Sequence, residues 1–404
     1  MARIVVVGKY YPPCRGGIEV NTRDVAEFLA RAHDVTVLAS AHEGPSSAES
    51  LNGVAVRRYA TPAVIKGQPI SPGLVGGILA SRADVYHLHA PNFVAAAALT
   101  ARLLLGRRRP KLVITHHADV QGRRILRSLA LPFYRSLARR AACVMVTSAK
   151  NAAGSADLPP DIVVRTVPLG IDLAAYSLPE AERAEARSWR GSWAGAAPLV
   201  SFVGRHARYK GLDVLVRAVA AMPGVHAVLA GDGPFREPAQ RLARELGIAD
   251  RVHFPGALDH AEKLRLLAAS DVFAFPSTDR TEAFGIAQLE AMALGVPVVA
   301  TDLPTGVTDV AVHGRTALVV PPNDPDALAR ALARLLADHD LAARLAGNAR
   351  EALLSRFRSD LTVVQAAAII EEALHSARSP GAAINRFTPR AVVRPFVPGR
   401  ASGS

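Results

Sequence analysis

Short apolar runs alternate with segments of helical periodicity along most of the chain. The runs are rich in Val, Ile, Leu and Ala, which is typical of strands buried on both faces of a parallel sheet. Helical patterns fill the intervals, so the pattern predicts parallel sheets with helices on both faces. The predicted strands cover residues 4–8, 35–39, 54–59, 85–88, 112–115, 143–147, 163–167, 199–203, 227–230, 252–254, 272–275, 297–300 and 317–320.

A charged, Ala-rich stretch interrupted by Pro and Gly separates two such series, and we place the domain boundary there. Two tandem Rossmann-like domains of the α/β class would face each other across a central cleft, because ligands bind at the carboxyl ends of parallel strands. We expect the last helix to pack back on the first domain. The predicted segments are an N-terminal domain (1–177), a linker (178–198), a C-terminal domain (199–376) and a basic, disordered tail (377–404).

Composition restricts the class of protein. The chain has 404 residues, of which 50% are hydrophobic and 21% are charged, which excludes fibrous and disordered proteins. Two cysteines, Cys14 and Cys143, are too few for a disulfide framework, so we expect a cytoplasmic protein. The longest apolar stretch, 93–105, is shorter than the ~20 residues of a spanning helix. We therefore expect no segment that crosses a membrane.

The net charge of +13 is concentrated in two places. Residues 102–140 contain eleven basic residues and one acid, and the tail contains five arginines and no acid. Such a field attracts nucleic acid or anionic lipid. Aromatic residues make up 5% of the chain and are not interleaved with the basic ones, which disfavours nucleic acid. We expect an anionic membrane surface as partner and peripheral binding at the inner face of the cell membrane.

The segment 121–140 carries much of this charge on a helical pattern. Its predicted arcs are an apolar one (Ile125, Leu129, Phe133, Leu137) and a basic one (Arg123, Arg124, Arg127, Arg135, Arg139). Pro132 is expected to kink the helix or to start a second one. In the alternative interpretation, the apolar arc packs on the domain's own sheet and the arginines are solvated.

Gly16 and Gly17 follow the first strand and precede a helical pattern. Their backbone N–H groups could approach an anion at the positive end of that helix. The motif is neither GxGxxG nor a P-loop, and a tight strand-to-helix turn is an equal alternative. In the second series, Arg205 and Lys210 follow the strand at 199–203, where two cations suit a diphosphate.

The segment PSTDRTEAFGIAQLEAMALGVPVVAT contains two carboxylates, Glu282 before a helix and Glu290 within it. Glu282 could simply complement the helix dipole. Glu290 has apolar neighbours, and a buried carboxylate is costly unless it is bonded. In contrast to Glu282, Glu290 is therefore interpreted as having no structural role.

These segments resemble the retaining glycosyltransferases of family four (glycosyl transferases group 1), which have the GT-B fold. The resemblance covers residues 4–374 and rests on several motifs in the same order. The motifs are Gly16-Gly17, DVYHLHAP, THHAD, VPLGID, VGRHARYKG, AGDGP, VHFPG, the Glu282/Glu290 segment and HGRTALVVPPND.

The resemblance implies that a nucleotide-sugar lies in the cleft against the C-terminal domain. Arg205 and Lys210 would hold the diphosphate, Glu290 the ribose hydroxyls and Glu282 the hydroxyls of the donor sugar. Backbone N–H groups near the sugar and phosphate would come from Ala283, Phe284, Gly285 and Ile286.

From the first domain, the resemblance places Gly17, with Gly16, opposite the phosphates. His117, the second histidine of THHAD, would be the active-site histidine near the sugar. The base would contact mainly backbone, near His253 and Phe254.

The cluster of His87, His89, His116 and His117 would suit a metal, but the family resemblance implies a metal-independent enzyme with no cofactor. Two Asp-x-Asp pairs, 324–326 and 338–340, are expected to be helix caps and surface acids.

We expect a hexosyltransferase that moves a sugar from a UDP- or GDP-sugar to an acceptor hydroxyl with retention. The expected acceptor is a glycan, glycolipid or lipid-linked sugar in cell-envelope synthesis. The alternatives are a nucleotide-sugar 2-epimerase of the same fold and a transferase with a soluble sugar or polyol acceptor.

Overall fold

The structure is a computed structural model that describes residues 1–14, 16–65, 68–106, 110–119 and 124–376. Its first sheet has eight strands in the order β10-β9-β8-β7-β1-β2-β4-β3. These strands are β1 (Arg3–Val7), β2 (Asp34–Ser40), β3 (Ser47–Leu51), β4 (Val54–Tyr59), β7 (Val85–Ala90), β8 (Lys111–His116), β9 (Cys143–Val146) and β10 (Val164–Thr166). All neighbours are parallel except the antiparallel pair β3 and β4.

The second sheet has six parallel strands in the order β13-β12-β11-β14-β15-β16. These strands are β11 (Leu199–Val203), β12 (His226–Ala230), β13 (Val252–Gly256), β14 (Val272–Phe275), β15 (Val298–Thr301) and β16 (Leu318–Val320). A separate two-stranded hairpin consists of β5 (Ala63–Ile65) and β6 (Gln68–Ile70). All thirteen predicted strands coincide with strands of the two large sheets. The sequence pattern missed β3 because its side chains are polar and mostly exposed.

Helices cover both faces of the two large sheets. They are α1 (Gly17–Leu29), α2 (Pro72–Ala80), α3 (Phe93–Leu105), α4 (Arg124–Arg140), α5 (Ala149–Ala153), α6 (Glu180–Arg190), α7 (Leu212–Ala220), α8 (Arg236–Glu245), α9 (His260–Ala269), α10 (Ile286–Ala293), α11 (Val307–Val310), α12 (Pro325–Ala337), α13 (His339–Arg356) and α14 (Ser359–His375), with 3₁₀ turns at Leu173–Tyr176 and Arg208–Lys210. Asp324 and Asp338 accept backbone N–H bonds as N-caps of α12 and α13, which confirms the expected capping role.

The segment predicted as a linker contains helix α6, which packs on α9. Ala186 is buried there, and Trp189 and Trp193 pack against the same cluster. The last helix, α14, lies on the first sheet, where Ile370 and Ala366 share a buried cluster with Ile4 of β1. The chain thus returns from the second domain to the first before residue 376.

The chain crosses between the domains at two adjacent points. Ile171 donates its N–H to the Phe357 carbonyl (2.9 Å), and Ser359 donates its N–H to the Ile171 carbonyl (2.9 Å). Gly170 lies so close to the Arg358 backbone that an added Cβ would be 2.6 Å from the Arg358 carbonyl carbon. Two neighbouring crossings therefore join the sheets.

Helix α4 differs from its predicted arcs. Leu137 is buried with Tyr134, but Phe133 is 56% exposed, because the buried face centres on Tyr134 and Leu137 and leaves Phe133 at its edge. Pro132 lies inside this one helix, so no second helix starts there. The side chains of Ile125 and Leu129 and most of the predicted basic arc lie outside the described residues.

Two arginines of the predicted basic arc are bonded within the protein. Arg139 pairs with Asp161 (2.8 Å), an acid outside the segment 102–140, and Arg135 donates to the Ala156 carbonyl (2.7 Å). The excess of basic residues within 102–140 is therefore partly compensated by groups that lie outside that segment. Within the described part of the chain, no helix is long and apolar enough to span a membrane.

Candidate active site

The carboxyl ends of β11 and β14 bring together a lysine and a glutamate. Lys210 ends the 3₁₀ turn after β11, Glu282 lies in the loop after β14, and their charged groups are in direct contact. The hydroxyl of Ser277, which is fully buried, donates to the same Glu282 oxygen (2.9 Å). Two residues that sequence analysis assigned separately therefore form one ion pair.

The environment keeps Lys210 protonated. Burial by itself lowers the pKa of Lys210, but the Glu282 carboxylate more than offsets this, so that the net pKa is raised. The ammonium also lies 5.4 Å from the ring centres of Tyr209 and Phe275. It is a permanent positive charge at the carboxyl ends of the strands of the second sheet.

Arg205 lies in the loop after β11 and its side chain is exposed. Burial raises the pKa of the nearby Tyr209 phenol, and the positive charges of Lys210 and Arg205 oppose that increase. Arg205 therefore adds a second cation to the electrostatic environment of Tyr209, without entering the Lys210–Glu282 pair.

Glu290 has two structural partners, so our interpretation that it has no structural role is wrong. Its Oε1 accepts hydrogen bonds from the Tyr176 hydroxyl (2.6 Å) and from Lys263 Nζ (2.7 Å). Tyr176 comes from the 3₁₀ turn before α6, and Lys263 comes from α9. Burial and, next, the negative charge of Glu290 raise the pKa of Tyr176. The Tyr176 hydroxyl therefore stays protonated and donates the hydrogen bond to Glu290. These bonds satisfy the buried carboxylate and fix its orientation.

The loop that precedes α10 requires a glycine. Gly285 has φ +80°, and an added Cβ would overlap the Phe275 ring. The Phe284 ring is buried and packs against Phe357, so only its backbone is available to a ligand. The Ala283 carbonyl accepts the Gly306 N–H (2.9 Å), which holds the loop on the second domain.

The first helix faces this loop across the cleft. Gly17 lies against Ile286, and a Cβ on Gly17 would be 2.5 Å from Ile286 Cδ1. The Glu19 carboxylate folds back over Gly16, where an added Cβ would overlap it. Burial raises the pKa of Glu19. A donor phosphate bound at Gly16 would thus lie beside this carboxylate, which sequence analysis did not consider.

His117 lies in a buried cluster at the ends of β7 and β8. Its Nε2 forms a hydrogen bond with His89 Nδ1 (3.0 Å), and His87 Nε2 forms one with Thr115 (2.8 Å). Burial lowers the pKa of His117 and of His87 to about 3, and lowers that of His89 well below its usual value. All three imidazoles are neutral at pH 7, and Nε2 of His117 is directed toward His89.

His116 has a different environment from His117. Its Nδ1 contacts the Tyr134 hydroxyl (2.8 Å) and its Nε2 contacts Asp119 (3.1 Å), so it ties β8 to α4. Among the described residues, no three His, Cys, Asp or Glu side chains are arranged to hold a metal ion.

The residues predicted near the base lie on β13, at the edge of the second sheet. The His253 ring stacks on His226 and contacts Trp193, while the Phe254 ring meets His206 edge-on. Both side chains are engaged in packing, which leaves the strand backbone for a ligand contact.

Two family models match consecutive parts of the chain. The family model described as Glycosyltransferase Family 4 matches residues 15–175, and the one described as Glycosyl transferases group 1 matches residues 185–352. A GDP-mannose-dependent alpha-(1-6)-phosphatidylinositol monomannoside mannosyltransferase from Mycobacterium tuberculosis is 30% identical over 89% of this chain and 96% of its own. The chain is a group 1 glycosyltransferase.

A D-rhamnosyltransferase, WbpZ, from Pseudomonas aeruginosa is 33% identical to this glycosyltransferase over 68% of the chain and 69% of its own length. Among solved structures, HepE from Anabaena in complex with UDP-glucose aligns with a TM-score of 0.72 at 23% identity, covering 93% of this chain and 99% of its own. The sucrose-phosphate synthase of Thermosynechococcus elongatus aligns with a TM-score of 0.75 at 22% identity, covering 92% and 99%. These alignments confirm the two-domain α/β fold.

Four polar partners of the site residues of this glycosyltransferase could not be assigned from the sequence. Ser277 supports Glu282, Tyr176 and Lys263 support Glu290, and His89 supports His117. His89 belongs to the motif DVYHLHAP, whereas Tyr176 belongs to a segment without a motif. Its distance from Glu290 along the chain hides the pairing.

We predict that replacing His87 reduces the acid sensitivity of the glycosyltransferase. The folded-state pKa of about 3 lies below the ordinary value of 6.5, so between these pH values only the unfolded chain binds the proton. Stability should therefore fall as pH decreases through that window, by about 1.4 kcal/mol per pH unit for each such group. In His87→Gln, the free energy of unfolding measured with urea should depend less steeply on pH between pH 6 and 4, by about 1.4 kcal/mol per pH unit. Exposed His339→Gln serves as control, and equal slopes in all three proteins would contradict the prediction.

Proposed function

We propose that this glycosyltransferase moves a hexose from a GDP- or UDP-sugar to an acceptor hydroxyl with retention of configuration. The observation that carries the proposal is the Lys210–Glu282 ion pair at the start of α10, opposite Gly17. The GDP-mannose dependence in the name of the mycobacterial relative and the UDP-glucose in the HepE complex support a nucleotide-sugar donor.

In the proposed reaction, the bond between the sugar C1 and the diphosphate oxygen breaks and negative charge grows on the diphosphate. Lys210 and Arg205 stabilise that charge, as preorganised cations do at a leaving group. The acceptor oxygen bonds to C1 from the same face, and its proton passes to the leaving phosphate. Glu282 contacts the sugar hydroxyls. His117 lies near the sugar as a neutral group.

Glu290 is proposed to bind the ribose hydroxyls through the oxygen that Tyr176 and Lys263 leave available, since both bond to Oε1. A carboxylate with one oxygen anchored presents the other in a fixed direction. This arrangement suits a pair of neighbouring hydroxyl groups.

We predict that Glu290→Gln weakens donor binding, whereas Glu282→Ala lowers kcat and also weakens donor binding, because it removes both a contact to the sugar and the ion-pair partner of Lys210. Glu290 contacts the nucleotide in both ground and transition states, while Glu282 orients the reacting sugar. Calorimetry with the nucleotide-sugar and steady-state kinetics measure the two effects. Glu245→Gln, on the exposed face of α8, is the matched control. An unchanged dissociation constant and kcat in Glu290→Gln would rule out the ribose assignment.

The proposed reaction needs no metal ion, because Lys210, Arg205 and the N-terminal end of α10 provide positive charge for the diphosphate. Transfer activity is expected to persist in EDTA, measured with a purified enzyme and a radiolabelled donor. Activity that disappears in EDTA and returns with Mg²⁺ or Mn²⁺ would contradict this part of the proposal.

The proposed acceptor is a glycolipid or lipid-linked sugar, which the enzyme reaches from the cytoplasmic face of an anionic membrane. The mycobacterial relative is named for a phosphatidylinositol monomannoside. On this chain, Leu104 and Leu105 at the end of α3 are 59% and 82% exposed, and Phe133 on the neighbouring α4 is 56% exposed. Arg140 is exposed at the end of the same helix. Apolar side chains beside basic ones suit a lipid interface.

We predict that the protein co-sediments with vesicles containing phosphatidylglycerol and not with neutral vesicles at low salt. A basic side chain near anionic lipid contributes about 1 kcal/mol, and the exposed apolar side chains add burial. Leu105→Ser with Phe133→Ser should lower the bound fraction. Leu354→Ser, which removes an exposed leucine from the second domain, should not. Equal recovery in the supernatant with both vesicles would favour a soluble sugar or polyol acceptor.

A further inference from the structure

An asparagine of the first domain reaches the loop that precedes α10 in the second. Asn151 lies in α5, is 9% exposed, and donates from Nδ2 to the Ala283 carbonyl (2.8 Å). The same Nδ2 also donates to Thr147 Oγ1 (2.9 Å), which orients the amide within its own domain. The side chain therefore connects a fixed position in one domain to a backbone carbonyl in the other.

The Ala283 carbonyl accepts two hydrogen bonds, one from each domain. The Gly306 N–H comes from the second domain (2.9 Å) and Asn151 comes from the first. Ala283 is joined through Phe284 and Gly285 to the first residue of α10, Ile286. Fixing this carbonyl orients the peptide planes whose N–H groups we propose to face the donor.

Neighbouring contacts hold Asn151 at this position. Ser148 donates to Asp309 Oδ2 (2.5 Å), and Lys150 contacts Asp309 Oδ1 (3.1 Å) and Thr308 (2.7 Å). Arg280 donates to the Lys150 carbonyl (3.3 Å). These contacts join α5 to Arg280, Thr308 and Asp309 of the second domain, so the Asn151–Ala283 bond belongs to a wider contact between the domains. A movement that separated the domains at this contact would break the bond.

We infer that Asn151 is a positioning residue, supplied by the first domain, that aligns the 283–286 loop for transfer only when the cleft is closed. The inference rests on the proposed role of that loop in binding the donor. Nucleotide binding through Lys210 and Glu290 does not require Asn151, whereas the chemical step does.

The first test is hydrogen exchange in the free protein, which needs no substrate. Asn151→Asp has the same shape but replaces the donating N–H₂ group with an oxygen that faces a carbonyl. Peptides covering residues 280–290 should exchange about tenfold faster, the scale of losing one hydrogen bond of about 1.4 kcal/mol. Asn348→Asp is the matched control, because Asn348 also donates to a backbone carbonyl, that of Arg315 (3.0 Å), within one domain. Unchanged exchange at 280–290 in Asn151→Asp would overturn the inference.

The second test separates binding from turnover. In Asn151→Asp and in the uncharged Asn151→Ala, kcat should fall at least tenfold, while the GDP and UDP dissociation constants should rise by a smaller factor, because Lys210 and Glu290 still hold the nucleotide. Asn348→Asp should keep full activity. Unchanged kcat in both Asn151 variants overturns the inference. A wild-type protein that binds neither GDP nor UDP would instead contradict the proposed donor function, and the exchange result would still decide whether Asn151 orders the loop.

Discussion

The ion pair between Lys210 and Glu282 is the interaction on which the candidate active site depends. Each residue comes from the end of a different strand, and each is largely buried, so neither charge is stable there alone. Pairing keeps the lysine protonated at the carboxyl ends of the strands of the second sheet. A diphosphate that binds beside it meets a cation already in place, and this preorganisation is the source of the proposed catalysis.

The two domains contribute unequally to the cleft. The second supplies Lys210, Glu282 and Glu290, while the first supplies Gly17 against Ile286, the neutral His117, Asn151 on the Ala283 carbonyl and one carboxylate, Glu19, beside Gly16. The paired crossings at Ile171 and Phe357 join the domains without filling the space between them.

The sequence predicted the central strands because their side chains are buried on both faces, as in β7, where every residue is buried. It could not predict β3, a polar edge strand, or the exposure of Phe133, which depends on how far the sheet extends under α4. Motif positions located Lys210, Glu282 and Glu290. The partners of Glu290 (Tyr176 and Lys263) and the partner of the Ala283 carbonyl (Asn151) lie far away along the chain and become neighbours only through the fold.

The central claim is that the diphosphate of a nucleotide-sugar binds at Lys210, beside the loop that precedes α10. A crystal structure of the protein with GDP or UDP tests this most directly. The account predicts phosphate oxygens within hydrogen-bond distance of Lys210 Nζ and of backbone N–H groups in 283–286, with the ribose at Glu290. A nucleotide bound elsewhere, with Lys210 making no phosphate contact, would contradict it.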